Sequence, residues 1–160
     1  MKVGEVYYFE TTALPVTLSD VTAAAAIYFT PYLGNQIPIY NGTRFAPITF
    51  TEQTLTLNSN HLITTVYDAF GFLNPADGST FVVGTGPAWT STTARGTGAG
   101  TTELTRLLGY QVNTNAATLR NGATTYSVAA NKATYLGSFY TTAAGQTEDS
   151  FAKRLLWNMY

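Results

Sequence analysis

Few side chains in this sequence can exchange a proton, attack a bond or hold a metal. There is one histidine, His61, and no cysteine. Thiol catalysis, disulfides and cysteine-based metal sites are therefore excluded. A Ser-His-Asp triad would need a serine beside His61, and no nucleophile-elbow motif is present. His61 follows Asn60 at the start of a strand-like run, so it reads as an exposed or hydrogen-bonded structural side chain. Glu148 and Asp149 are adjacent carboxylates. Glycosidase acids are paired in space across a cleft, whereas neighbours on a strand point to opposite faces. A cap or solvated turn suits them better, with Lys153 and Arg154 as exposed ion-pair partners worth about 0–1 kcal/mol. Gly96-Thr97-Gly98-Ala99-Gly100 has the glycine content of a phosphate loop. No Gly-Lys-Ser/Thr follows it and no strand-then-helix frame surrounds it, which rules out nucleotide binding there. Asn74, Asp77 and Gly78 offer too few oxygens for calcium and read as a turn. The sequence thus predicts no catalytic, cofactor-binding or metal-ligating residues.

Charge is equally scarce. Asp, Glu, Lys and Arg make up 11% of the 160 residues, against about 25% in an ordinary soluble protein. The net charge is -1 and the pI about 5.7, which argues against nucleic acid or an anionic membrane as a partner. The most apolar short run, Ala23 to Phe29, has seven residues; a membrane helix needs about 20. Glu5 and Glu10 interrupt any signal-peptide core, so the chain reads as soluble with no export address.

The elements that must position these residues read as strands. The 29 threonines and 22 aromatic residues suit pleated, half-buried surfaces. Turn signals recur at Leu33-Gly34-Asn35, Asn41-Gly42, Asn58-Ser59-Asn60, Asn74 to Gly78 and Asn121-Gly122, the spacing of a sandwich or barrel. Val3 to Phe9 is a first strand or extended arm. Ile27 to Leu33 carries Pro31, which suits a strand end or edge. Gln36 to Tyr40 and Thr43 to Phe50 flank Asn41-Gly42, a pair that favours a type I′ hairpin. His61 to Leu73 is the strongest strand. Leu62, Thr64, Val66, Asp68, Phe70 and Phe72 share one of its faces, where Asp68 demands a partner. Thr80 to Gly84, Leu107 to Asn113, Thr124 to Val128 and Thr134 to Thr142 follow. Gly84 to Gly100 reads as a flexible surface loop. Helix signals are thin: Asp20 to Ile27 is too short, and Lys153 to Tyr160 reads as a strand in preference to a helix.

The tyrosines are too many to be all core, and tyrosine suits interfaces. Phe151, Leu155, Leu156, Trp157, Met159 and Tyr160 form the most concentrated apolar stretch near either end. It is expected to dock in the core or a subunit interface, with Trp157 as anchor and Trp89 in a loop mattering less. Tyr32, Tyr135, Phe151, Leu155, Trp157 and Tyr160 are the predicted interface residues.

Three stretches carry a resemblance. The first is Asp20-Val21-Thr22 through Ile27-Tyr28-Phe29-Thr30-Pro31-Tyr32-Leu33-Gly34-Asn35, then Tyr40-Asn41-Gly42-Thr43. The second is Val66-Tyr67-Asp68-Ala69-Phe70, then Ala88-Trp89-Thr90. The third is Tyr135-Leu136-Gly137-Ser138-Phe139-Tyr140-Thr141-Thr142, then Gly145 to Ser150 and Lys153 to Asn158. In this order they resemble a module of tailed-bacteriophage virion proteins, found in head decoration proteins and in tail-fibre-like proteins. The resemblance spans roughly Pro15 to Tyr160 and offers no catalytic residues.

With the strand pattern it leads to one all-β, jelly-roll-like antiparallel sandwich over residues 15–160, expected as a homotrimer, after an extended N-terminal segment at 1–14. The resemblance implies a virion structural role, read first as a decoration (cement) protein on the capsid surface, made in the host cytoplasm. Its partners would be the major capsid protein and two further copies of itself. The alternative is a short tail or fibre component that touches the host surface and a glycan there. The length favours decoration, because no heptad or collagen-like run is present to build a shaft.

Overall fold

The structure, a computed structural model, describes residues 6–9 and 19–158. Every regular element among them is a strand. In chain order these are β1 (Val6–Phe9), β2 (Val21–Ala24), β3 (Ala26–Pro31), β4 (Gln36–Tyr40), β5 (Phe45–Thr49), β6 (Gln53–Thr56), β7 (Val66–Leu73) and β8 (Phe81–Ala88). They continue as β9 (Leu104–Leu107), β10 (Tyr110–Asn113), β11 (Ala117–Asn121), β12 (Thr124–Val128), β13 (Ala133–Tyr140), β14 (Thr147–Asp149) and β15 (Leu156–Asn158). The all-β class expected from the sequence is therefore present, and Leu156–Asn158 is strand, not helix.

One long antiparallel sheet runs β12-β11-β8-β7-β13-β10-β9, with β15 added beside β13. Three smaller sheets, β1-β3-β6, β4-β5 and β14-β2, complete the fold. Strand β7 shows why the layers form. Its odd residues, Tyr67 and Ala69, join a core with Ile27, Phe29, Ile37, Ile39, Leu55, Leu136 and Phe139. Strands β3, β4 and β6 thus pack on one face of the long sheet. Its even residues, Phe70 and Phe72, join a second core with Leu119, Val128, Ala133 and Tyr135. That core draws only on strands of the long sheet, and Leu104 of β9 also packs against it. The sheet therefore curls over its own second face. Both faces of β7 and β13 are buried, which makes the architecture sandwich-like. The period-2 alternation predicted for β7 holds from Val66 onward; His61 to Thr65 precede the strand as a turn.

Three expectations need correction. The segment read as a surface loop from Gly84 begins as core strand, because β8 continues to Ala88. Its glycines answer to packing: a Cβ on Gly86 would lie 2.9 Å from Thr102 and 3.0 Å from the Phe70 ring. The β4–β5 hairpin exists, but its loop has four residues, since Tyr40 pairs with Phe45. There Asn41 Oδ1 accepts the amides of Thr43 (2.9 Å) and Arg44 (3.0 Å), so the side chain closes the turn. The two-residue turn with both central residues at positive φ is Leu108-Gly109, at 47° and 99°. It splits the single strand expected over Leu107 to Asn113 into β9 and β10.

The turn at Asn74 to Gly78 is as predicted. Asp77 accepts four hydrogen bonds from Ser79 and Thr80. The Thr80 hydroxyl and amide lead in holding its carboxyl down at about 2. Glu148 and Asp149 do pair with Lys153 (3.4 Å) and Arg154 (3.3 Å), but they lie on strand β14 and not in a cap or solvated turn. Of the N-terminal segment, Val6–Phe9 pairs antiparallel with β3; the remainder of 1–14 lies outside the described residues.

Candidate functional site

Asp68 finds its partner 27 residues downstream. Its side chain is 0% exposed and receives Arg95 Nε at 2.7 Å. Oδ1 also accepts Ser138 Oγ (2.6 Å) and Arg95 Nη2 (3.3 Å), and Oδ2 accepts the Thr102 hydroxyl. All four donors converge on one buried carboxylate, which satisfies it fully.

Two β-bulges build this centre. The β7–β13 register shifts between Tyr135 and Gly137. On a regular strand residues 135 and 138 would face opposite ways. The extra residue turns Tyr135 and Ser138 to the same face, and their hydroxyls lie 2.7 Å apart. The β7–β8 register shifts between Tyr67 and Ala69, directly beside Asp68. Bulges are the usual means of re-aiming a side chain within a sheet. Across the sheet, Trp157 pairs with Ser138 and Ser138 with Asp68. The three side chains therefore form a row on one face.

The Trp89–Thr102 excursion delivers Arg95. Ser91 and Ala94 exchange backbone hydrogen bonds at 3.2 and 3.4 Å, and Thr90 Oγ1 donates to the Ala94 carbonyl. This tight turn points Arg95 back at the sheet. Downstream, Glu103 accepts the Gly98 amide at 2.8 Å and the Asn115 side chain at 3.1 Å. The Arg95 guanidinium lies 4.4 Å over the Trp89 ring and 5.2 Å from that of Tyr135. Burial works against its charge, but Asp68 outweighs that and holds the group above its ordinary value. Burial likewise pushes the Tyr135 phenol up, with the Ser138 hydrogen bond opposing.

Above this network opens a cleft of about 320 Å³ lined by Val66, Trp89, Thr92, Arg95, Trp157 and the edges of Tyr135 and Ser138. The Arg95 side chain is 31% exposed there. Its hydrogen bonds among the described residues all use Nε and Nη2, so Nη1 is unused. Trp89 Nε1 is buried with no hydrogen-bond partner among the described residues.

The predicted interface residues separate. Tyr32, Phe151 and Trp157 are 54%, 82% and 51% exposed, and Leu155 is half-buried. Tyr135 is buried, its hydroxyl held by Ser138 and Arg95. Tyr160 lies outside the described residues. Trp157 is thus not an anchor in the protomer core, because β15 is a short strand laid along β13 with its indole at the cleft rim. Sequence reasoning missed Arg95, Ser138 and Thr102. The one signal that pointed to them was the unexplained Asp68 on an apolar face.

His61 forms a separate polar centre. It is 1% exposed. Its Nδ1 accepts the Asn58 amide at 3.1 Å, so Nε2 carries the proton and donates to Thr85 Oγ1 at 3.0 Å. Burial lowers its pKa below 6.5; the Asn58 carbonyl opposes this, and the Arg120 charge adds to the lowering. The unfolded chain therefore binds the imidazole proton first as pH falls. Stability is expected to be flat above the unfolded value of 6.5 and to drop as pH falls below it toward the lower folded value. Urea melts between pH 8 and about 5 check this, and His61→Gln should remove that part of the slope.

No family model, no curated protein and no solved structure matches this chain.

Proposed function

We propose that this protein is a structural component of a bacteriophage virion: a head decoration protein that binds the major capsid protein and stabilises the shell as a jelly-roll-like homotrimer. The observation that carries this reading is the apolar surface of the protomer. Phe151 after β14, with Tyr32 and Leu33 after β3, are large exposed hydrophobics on a chain with few charges. Such surface favours burial against another protein. The resemblance of the ordered sequence stretches to virion modules supports the same role. Mechanically, opening the shell would first have to break the contacts that the bound protein makes across neighbouring subunits.

Purified protein mixed with shells that lack it should cosediment with them. Few ion pairs are available to hold it, so retention should persist from low salt to about 1 M, where the Debye length is only about 3 Å. Release at moderate salt would place attachment on the eight Lys and Arg residues. Absence of cosedimentation at any salt would overturn the reading. Native mass spectrometry should show a trimer; a stable monomer at micromolar concentration overturns that part.

A further inference from the structure

We infer that the cleft between Trp89 and Trp157 binds a carboxylate-bearing sugar residue. Its polar floor presents a cation and no free carboxylate. Asp68 lies beneath with both oxygens filled by Arg95, Ser138 and Thr102. Above it the partly exposed guanidinium of Arg95 keeps Nη1 unused among the described residues. The buried ion pair thus turns its positive end to the cleft. An acceptor-rich anionic group complements that free guanidinium edge, and a carboxylate matches it best.

The apolar part of the cleft defines the rest of the ligand. Trp157, in register with Ser138, stands half exposed at the rim. It presents a flat apolar surface beside the cation, which suits the C–H face of a pyranose ring. An aspartate or glutamate side chain has no such face. The volume, about 320 Å³, is at the low end of the range of about 300–1,000 Å³ for small-ligand clefts, the scale of one or two sugar rings. Arg95 is held by Asp68, Tyr135 and Ser138 before any ligand arrives, so little side-chain freedom remains to be lost on binding. This inference does not rest on the decoration role.

The chain has two tryptophans, and both line this cleft. Intrinsic fluorescence of the full chain therefore reports on it directly. Titration with glucuronate should give a saturable change. Glucose should bind at least about tenfold more weakly, and acetate should give no saturable change. Trp157→Ala should weaken glucuronate by about tenfold with an unchanged far-UV spectrum, and Trp157→Phe should restore most of the affinity. The inference is overturned by no saturable response to glucuronate, by equal responses to glucose and glucuronate, by an acetate response that saturates alike, or by a Trp157→Ala protein that binds as the parent does. Shell cosedimentation reads the decoration role separately: retention without a sugar response sinks this inference alone, and a sugar response without retention sinks only that role.

Discussion

Asp68→Asn is expected to lower the melting temperature by about 10 °C, the largest effect of any near-isosteric change in the chain. Each Asp68 oxygen accepts two donors: Arg95 Nη2 and Ser138 Oγ on one, Arg95 Nε and the Thr102 hydroxyl on the other. An asparagine in either flip must direct its NH₂ at two of those donors. Breaking a buried, hydrogen-bonded ion pair from one side costs about 3–5 kcal/mol. At about 2–4 °C per kcal/mol for a chain of this size, the low end of that cost gives the stated shift. Arg95→Met should be comparably damaging, because it leaves the carboxylate buried and without its cation. The double variant Asp68→Val with Arg95→Met removes both charges, and replacing such a pair by apolar groups is often neutral. It should be more stable than Arg95→Met alone. Thermal melts of these variants and of Asp68→Val alone check the prediction; a double variant as unstable as the sum of Asp68→Val and Arg95→Met would show that the two side chains act separately.

Gly145→Ala should cost roughly 2–5 kcal/mol, from two additive sources. Gly145 has φ +70°, which an L side chain adopts reluctantly. A Cβ there would also lie 2.7 Å from the Asn58 carbonyl carbon and 2.8 Å from its oxygen. Those are backbone atoms, and the Asn58 turn that holds them also orders His61, whose carbonyl accepts the Gly145 amide at 2.8 Å. Neither side can yield without disturbing the other. Gly98→Ala is the control. Its φ is +86°, but a Cβ would meet nothing within 4 Å, so only the conformational cost of about 1–2 kcal/mol applies. Equal denaturant midpoints for the two variants would refute the steric part.

Local pattern carried much of the fold. The alternation in Val66–Leu73 is legible because a strand repeats every two residues, and each neighbour reports on the next. The strands Gln36–Tyr40 and Thr124–Val128 were equally legible from the turn residues that bound them. Gly84 to Ala88 was not. Glycines mark a loop locally, yet here they leave room for Phe70 and Phe72, and those rings belong to a neighbouring strand. The cleft was still less legible. Asp68 was conspicuous on its apolar face, but a carboxylate does not specify its partner, and Arg95 reaches it only because the Trp89–Thr102 excursion folds back. Tyr135 and Ser138 share a face only through the bulge between Tyr135 and Gly137, a register event between two chains of hydrogen bonds that neither strand encodes alone. The exposure of Trp157 follows from where β15 lies along β13, not from its own apolar surroundings in the sequence. Strand class and face are local, period-2 properties, so neighbouring residues suffice to read them. Register, bulges and the meeting of residues tens of positions apart depend on how strands pair and pack, which no single segment encodes.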